Sequence, residues 1–143
     1  MSVRILSTED WLTSLRQARQ QIPGAYRAMY SSWVGGIVTT PELMLIPVDD
    51  HMVHRVDGIF EAARVVEGAV FDLDAHLERL ARSASQVALD LPEELDGIRQ
   101  ICLATVAASG LRQAALRLFV GRGPGSFSPN PYDCPRSQLY VVV

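Results

Sequence analysis

An α+β fold is what this sequence predicts, and three stretches predict it. Between Ile59 and Ala88 a strand, a tight turn, a returning strand and a strongly periodic helix follow one another. Between Pro92 and Val120 a second helical run leads into a strand in which Leu116, Leu118 and Val120 alternate with Arg117 and Phe119. A last β-rich run, Ser137 to Val143, closes the chain. At 143 residues this is one ordinary domain's worth of chain, long enough for a real core.

The elements can be justified in order. Ser7-Thr8-Glu9-Asp10 opens an amphipathic helix running to about Gln21, with Trp11, Leu12, Leu15, Ala18 and Ile22 on its apolar side and Pro23-Gly24 as its stop. Its acidic first turn argues against a transit peptide. Tyr30 to Val38 predicts a strand interrupted at Gly35-Gly36, and Leu43 to Pro47 a short apolar strand. Ile59 to Val66 and Ala69 to Phe71 flank Glu67-Gly68, an acidic residue and a glycine between β-branched runs, which is a hairpin signal. Leu73, His76, Leu77, Leu80, Ala84, Val87 and Ala88 then recur at steps of three and four, with Asp72 or Asp74 available as the cap. Pro92-Glu93-Glu94 starts the next helix, lined by Leu95, Ile98, Ile101, Cys102, Thr105, Val106 and Ala108, and Ser109-Gly110 ends it. Gly121-Arg122-Gly123-Pro124-Gly125 reads as a plain loop, because the Ser- and Pro-rich residues after it cannot begin a phosphate-binding helix.

Composition narrows the function. The net charge is −3 with no basic stripe, which argues against nucleic acid as a partner. No apolar run approaches the ~18 residues of a membrane span. Nothing resembles an export signal, so the expected location is the cytoplasm. The two cysteines are far apart without metal-ligand spacing, and Cys102 reads as a small buried hydrophobe. Val48 to Val56 holds Asp49, Asp50, His51, His54 and Arg55, but in an extended segment the two histidines point to opposite faces, and no metal is expected. The thirteen Lys-plus-Arg positions are all arginine, so the chain has no lysine.

Three short patterns give the chemistry a direction. Asp57-Gly58-Ile59-Phe60-Glu61, then Glu67-Gly68, then His76-Leu77-Glu78-Arg79-Leu80 resemble, in order and spacing, the D-G-x-[FY]-E strand, x-G turn and H-[LI]-x-R-L helix of the class IV aminotransferases. These are the fold-type IV pyridoxal-phosphate enzymes: D-amino-acid and branched-chain aminotransferases and aminodeoxychorismate lyase. The resemblance runs from about Tyr30 to the last residue, and the His51-Met52-Val53-His54-Arg55 version is most similar to plant D-amino-acid-aminotransferase-like and lyase-like members. Val56 stands where relatives often have glycine.

The resemblance implies the family's small domain, a mainly antiparallel sheet with two packed helices, over residues 28–143, with residues 1–27 as an N-terminal helical extension. It implies pyridoxal 5'-phosphate as cofactor, an amino acid or 2-oxo acid as substrate (or elimination of pyruvate, as in the lyase branch), and a homodimer. Arg79 is implied to bind the cofactor phosphate, a role suited to a permanently charged planar fork of donors. Phe60, Arg117 and Arg122 are implied on the substrate side. Phe127 occupies the position, five residues beyond Arg122, where D-amino-acid and lyase-type relatives often carry a carboxylate-gripping arginine, so a trap of that type is not expected. The family holds its cofactor as a Schiff base on a lysine, and no residue here supplies that amine. The expectation is therefore the N-terminal part of such an enzyme, lacking the lysine-bearing large domain, with no catalytic residue in this chain and no activity alone. The alternative is a non-catalytic binding or assembly module built on the same domain.

Overall fold

The computed structural model describes residues 3–21 and 26–143. A six-stranded antiparallel sheet, ordered β2-β1-β6-β5-β3-β4, carries two helices on one face. Helix α1 (Thr8–Gln20) comes first, capped by Ser7, whose hydroxyl accepts from the Asp10 amide while the Asp10 carboxylate accepts from the Ser7 backbone and hydroxyl. The predicted contribution of Ile22 and the stop at Pro23-Gly24 lie outside the described residues.

The single interrupted strand expected over Tyr30–Val38 is instead a hairpin. β1 (Met29–Ser31) and β2 (Gly36–Val38) pair antiparallel about a turn whose Gly35 has φ +71°. The expected strand at Leu43–Pro47 is absent: Pro41–Leu43 form one turn of 3-10 helix, where the proline ring suits the first helical position and removes a ladder donor. The expected extended run before Asp57 is a short helix, α2 (His51–Arg55), capped by the Asp50 carboxylate on the Met52 amide. It ends at Val56 in the left-handed region, φ 60°.

The central unit follows its sequence pattern. β3 (Gly58–Val66) and β4 (Ala69–Val70) join through Glu67 and Gly68, both at positive φ (54° and 83°), the conformation that matches the strands' twist. Helix α3 (Leu73–Gln86) buries Leu73, Leu77, Leu80 and Ala84, the expected stripe. Its expected side-chain cap is not formed, because Asp72 takes φ 51° and makes no capping bond. Val87 and Ala88 are not on the stripe: Ala88 turns to φ 50° and the Leu89 amide closes back on the Ala84 carbonyl. Helix α4 (Leu95–Ser109) starts three residues after Pro92, with Glu94 as its N-cap, and ends at Gly110 with φ 67°.

β5 (Gln113–Gly121) pairs with β3 along its whole length and with β6 (Gln138–Val142) on its other side. Alternation divides the sheet into two faces. Ala63, Val65, Leu116, Leu118, Val120, Leu139 and Val141 pack under α3 and α4 in one core. Phe60, Arg117, Phe119 and Tyr140 look the other way, as their register pairing and alternation require. β4 reaches only Val65 and Val66, so among the described residues no strand flanks the Gly58–Ala63 stretch of β3 on that side.

Candidate functional site

β3 brings the site together. Its inward-facing positions are small or apolar except one: Glu61, only 4% exposed, lies on the face that α3 covers. Two residues of α3, spaced three apart on the side toward β3, reach it. Arg79 donates from Nε to Glu61 Oε1 and from Nη2 to Oε2, both at 2.6 Å. His76 places Nδ1 2.9 Å from the same Oε2. A buried carboxylate is costly unless its oxygens are occupied by donors, and here three donors occupy them. The hydrogen bond from Arg79, more than that from His76, holds the Glu61 carboxyl below its ordinary range against the opposing effect of burial. The Arg79 side chain stays 57% exposed. Its fork is used on one edge, while Nη1 and the outward hydrogen of Nη2 face away from Glu61.

Phe60 stands next to Glu61 on β3 but on the opposite sheet face, 65% exposed, with its ring 6.5 Å from that of Phe119. Arg117 shares that face, paired across the ladder with Ala62. It has no hydrogen-bond or ion-pair partner among the described residues and borders a cleft of about 650 Å³, with Phe119, Tyr140 and α1 residues Leu15 and Arg19 among its other walls.

Arg122 does not join this group. Its Nε donates to Asp57 Oδ2 at 3.0 Å, and Nη1 and Nη2 donate to the Ala88 and Val87 carbonyls at 2.6 Å. Nη1 and Nη2 close the end of α3 while Nε holds Asp57, so all three nitrogens of the arginine expected on the substrate side have acceptors within the chain. The His51–His54 geometry is corrected. On α2 the rings lie three residues apart with centroids 4.9 Å apart, on one side of the helix rather than on opposite faces. Among the described residues no group of three or more His, Cys, Asp or Glu is arranged to hold a metal. Nor is any helix long and apolar enough to cross a membrane.

The sequence reading missed the partnership of Glu61 and His76 with Arg79. The signal was present: on a period of two, Glu61 falls in phase with Ala63 and Val65, so a carboxylate was due on the covered face. It also missed Asp50, fully buried, whose Oδ2 accepts from the Tyr140 hydroxyl at 2.8 Å across 90 residues. No local pattern announces that contact.

With this geometry in place, the comparisons identify its setting. Residues 58–143 match the model of the amino-transferase class IV family, and the chain belongs to that family. It is similar to an Arabidopsis thaliana protein named D-amino-acid transaminase, chloroplastic, with 42% identity over 99% of this chain and 38% of the relative. It is similar also to a Mycobacterium tuberculosis protein named bifunctional aminodeoxychorismate lyase / D-amino acid transaminase, 35% identical over 68% of this chain and 35% of the relative. In fold it is similar to the branched-chain amino acid aminotransferase from Escherichia coli, at TM-score 0.72 and 19% identity, covering 82% of this chain and 41% of the other. The chain thus spans well under half the length of each of these proteins.

Proposed function

We propose that this chain is the small-domain portion, residues 28–143 with a helical extension over residues 1–27, of a pyridoxal-phosphate-dependent class IV aminotransferase or a lyase of the same family. Bound pyridoxal phosphate supplies an electron sink for carbanion chemistry at an amino acid's α-carbon. The residues present suit the phosphate end of such a cofactor and not its aldehyde end: Arg79 offers an unspent donor edge, and no lysine is available. Arg79 holds the phosphate. Phe60 walls the substrate side, and Arg117, on the same sheet face and without a partner among the described residues, receives a substrate carboxylate. The lysine comes from protein outside this chain, and two copies associate as a dimer. Alone the chain does not transaminate.

One observation carries this reading: a half-exposed arginine fixed by a buried glutamate, both inside the family-matched residues. The test is calorimetric titration of the chain with pyridoxal 5'-phosphate and, separately, with pyridoxal. Binding that requires the phosphate and is lost in Arg79→Gln supports the anchor. Equal affinity for the two compounds, or binding indifferent to Arg79→Gln, overturns it. The absence of lysine also favours a second reading, a binding or assembly module without catalysis. A chain that ignores both compounds yet forms stable dimers would favour that one.

A further inference from the structure

We infer that Glu61 is the positioning residue of the anion site, fixing the direction of the Arg79 fork and the tautomer of His76; the part concerning anion affinity rests on the phosphate-anchor reading of Arg79. An arginine side chain samples many rotamers, and an exposed guanidinium must lose much of that freedom to meet a ligand. Here the loss is taken when the protein folds. Glu61 is immobile because its strand is paired residue for residue with β5, Glu61 opposite Leu118, and because its side chain is buried. The two-point contact, Nε on one oxygen and Nη2 on the other, sets the guanidinium plane as well as its position.

His76 completes the arrangement. An ionised carboxylate only accepts, so Nδ1 at 2.9 Å from Oε2 must carry the hydrogen. Arg79 Nη2 lies 3.2 Å from the same Nδ1. With both atoms donating, that proximity is two donors converging on one oxygen and not a bond between them. The neutral imidazole is thereby held as the Nδ1–H tautomer, with Nε2 bare. Three hydrogens meet two oxygens, and the site tolerates no donor in place of either oxygen. Glutamine at position 61 would present an amide N–H to at least one of them.

The test compares wild type, Glu61→Gln and Glu61→Asp by proton–nitrogen NMR and by pyridoxal 5'-phosphate titration, with thermal melting to show that each is folded. In wild type the Arg79 Nε–H gives a downfield, slowly exchanging signal, and neutral His76 reads as Nδ1–H. Glu61→Gln loses the arginine signature and weakens phosphate-dependent binding about three- to tenfold, the cost of ordering one long side chain at the moment of binding. Glu61→Asp, which keeps the charge on a shorter arm, restores part of both and covers the case in which the glutamine variant does not fold. Wild-type affinity in folded Glu61→Gln, or an Nε2–H tautomer with Glu61 intact, overturns the inference. The two readings fail separately: if Arg79→Gln leaves binding unchanged while the NMR signatures depend on Glu61, the anchor role falls and the hold of Glu61 on Arg79 stands.

Discussion

Two carboxylates flank the start of β3, and each holds an arginine, with opposite results. At the α2 end, Asp57 takes Arg122 through one nitrogen and leaves the other two for backbone carbonyls 34 and 35 residues away. At Glu61 the carboxylate takes both nitrogens of one edge of Arg79 and leaves the far edge open. The first arrangement closes the molecule on itself; the second leaves a charge facing outward in a fixed direction. A motif that contains arginine does not distinguish them. What decides is whether folded backbone leaves carbonyls within reach of the remaining donors.

The contrast can be broken from either side. The largest effect is expected where a buried acceptor loses its donor. Tyr140→Phe removes the hydroxyl from fully buried Asp50, beside α2, and should cost about 2–3 kcal/mol, read from urea unfolding. Arg122→Met should cost less, about 1–2 kcal/mol, because Asp57 and the two carbonyls can be partly rehydrated. It should also leave pyridoxal 5'-phosphate binding unchanged. A loss of binding in that variant would erase the distinction between the two arginines.

Val56→Gly should stabilise the chain by about 1 kcal/mol, measured the same way. A β-branched residue at φ 60° carries left-handed strain, and at 86% exposure the side chain gives up little packing. Smallest is the pH response of Glu61. Its carboxyl is held below the ordinary range, so the unfolded chain binds that proton more readily. The stabilisation is complete above about pH 4.3, the unfolded glutamate value, and is lost as the pH falls through the lower folded value. Melting curves from about pH 5 down to about pH 2 should show a steeper acid loss in wild type than in Glu61→Gln.

How far the sequence could be read depends on the distance over which each element is decided. The β3–β4 hairpin and α3 stood out because every determinant is local: alternation in the strand, two positive-φ residues in the turn and a stripe at steps of three and four. Helix α2 did not. Five residues are too few for intrinsic helix stability, and this helix exists because Met52 fits against Gly58 and Gly121, where an added methyl would collide, and because Asp50 is tied to Tyr140. Of the site, Phe60 and Arg79 were named through the motif. The commitment of Arg122 was invisible because two of its three acceptors are main-chain carbonyls, which no residue pattern encodes, and the third, Asp57, lies 65 residues away.

The alternation of β3 has a further consequence. Phe60 and Glu61 are neighbours in sequence yet stand on opposite sides of a sheet. A change of ring size at position 60 therefore alters one surface without disturbing the ion pair behind it, and the ladder to β5 keeps both in register. Selection or design can vary the open face of this strand while the grip of Glu61, one residue on, upon Arg79 is inherited intact.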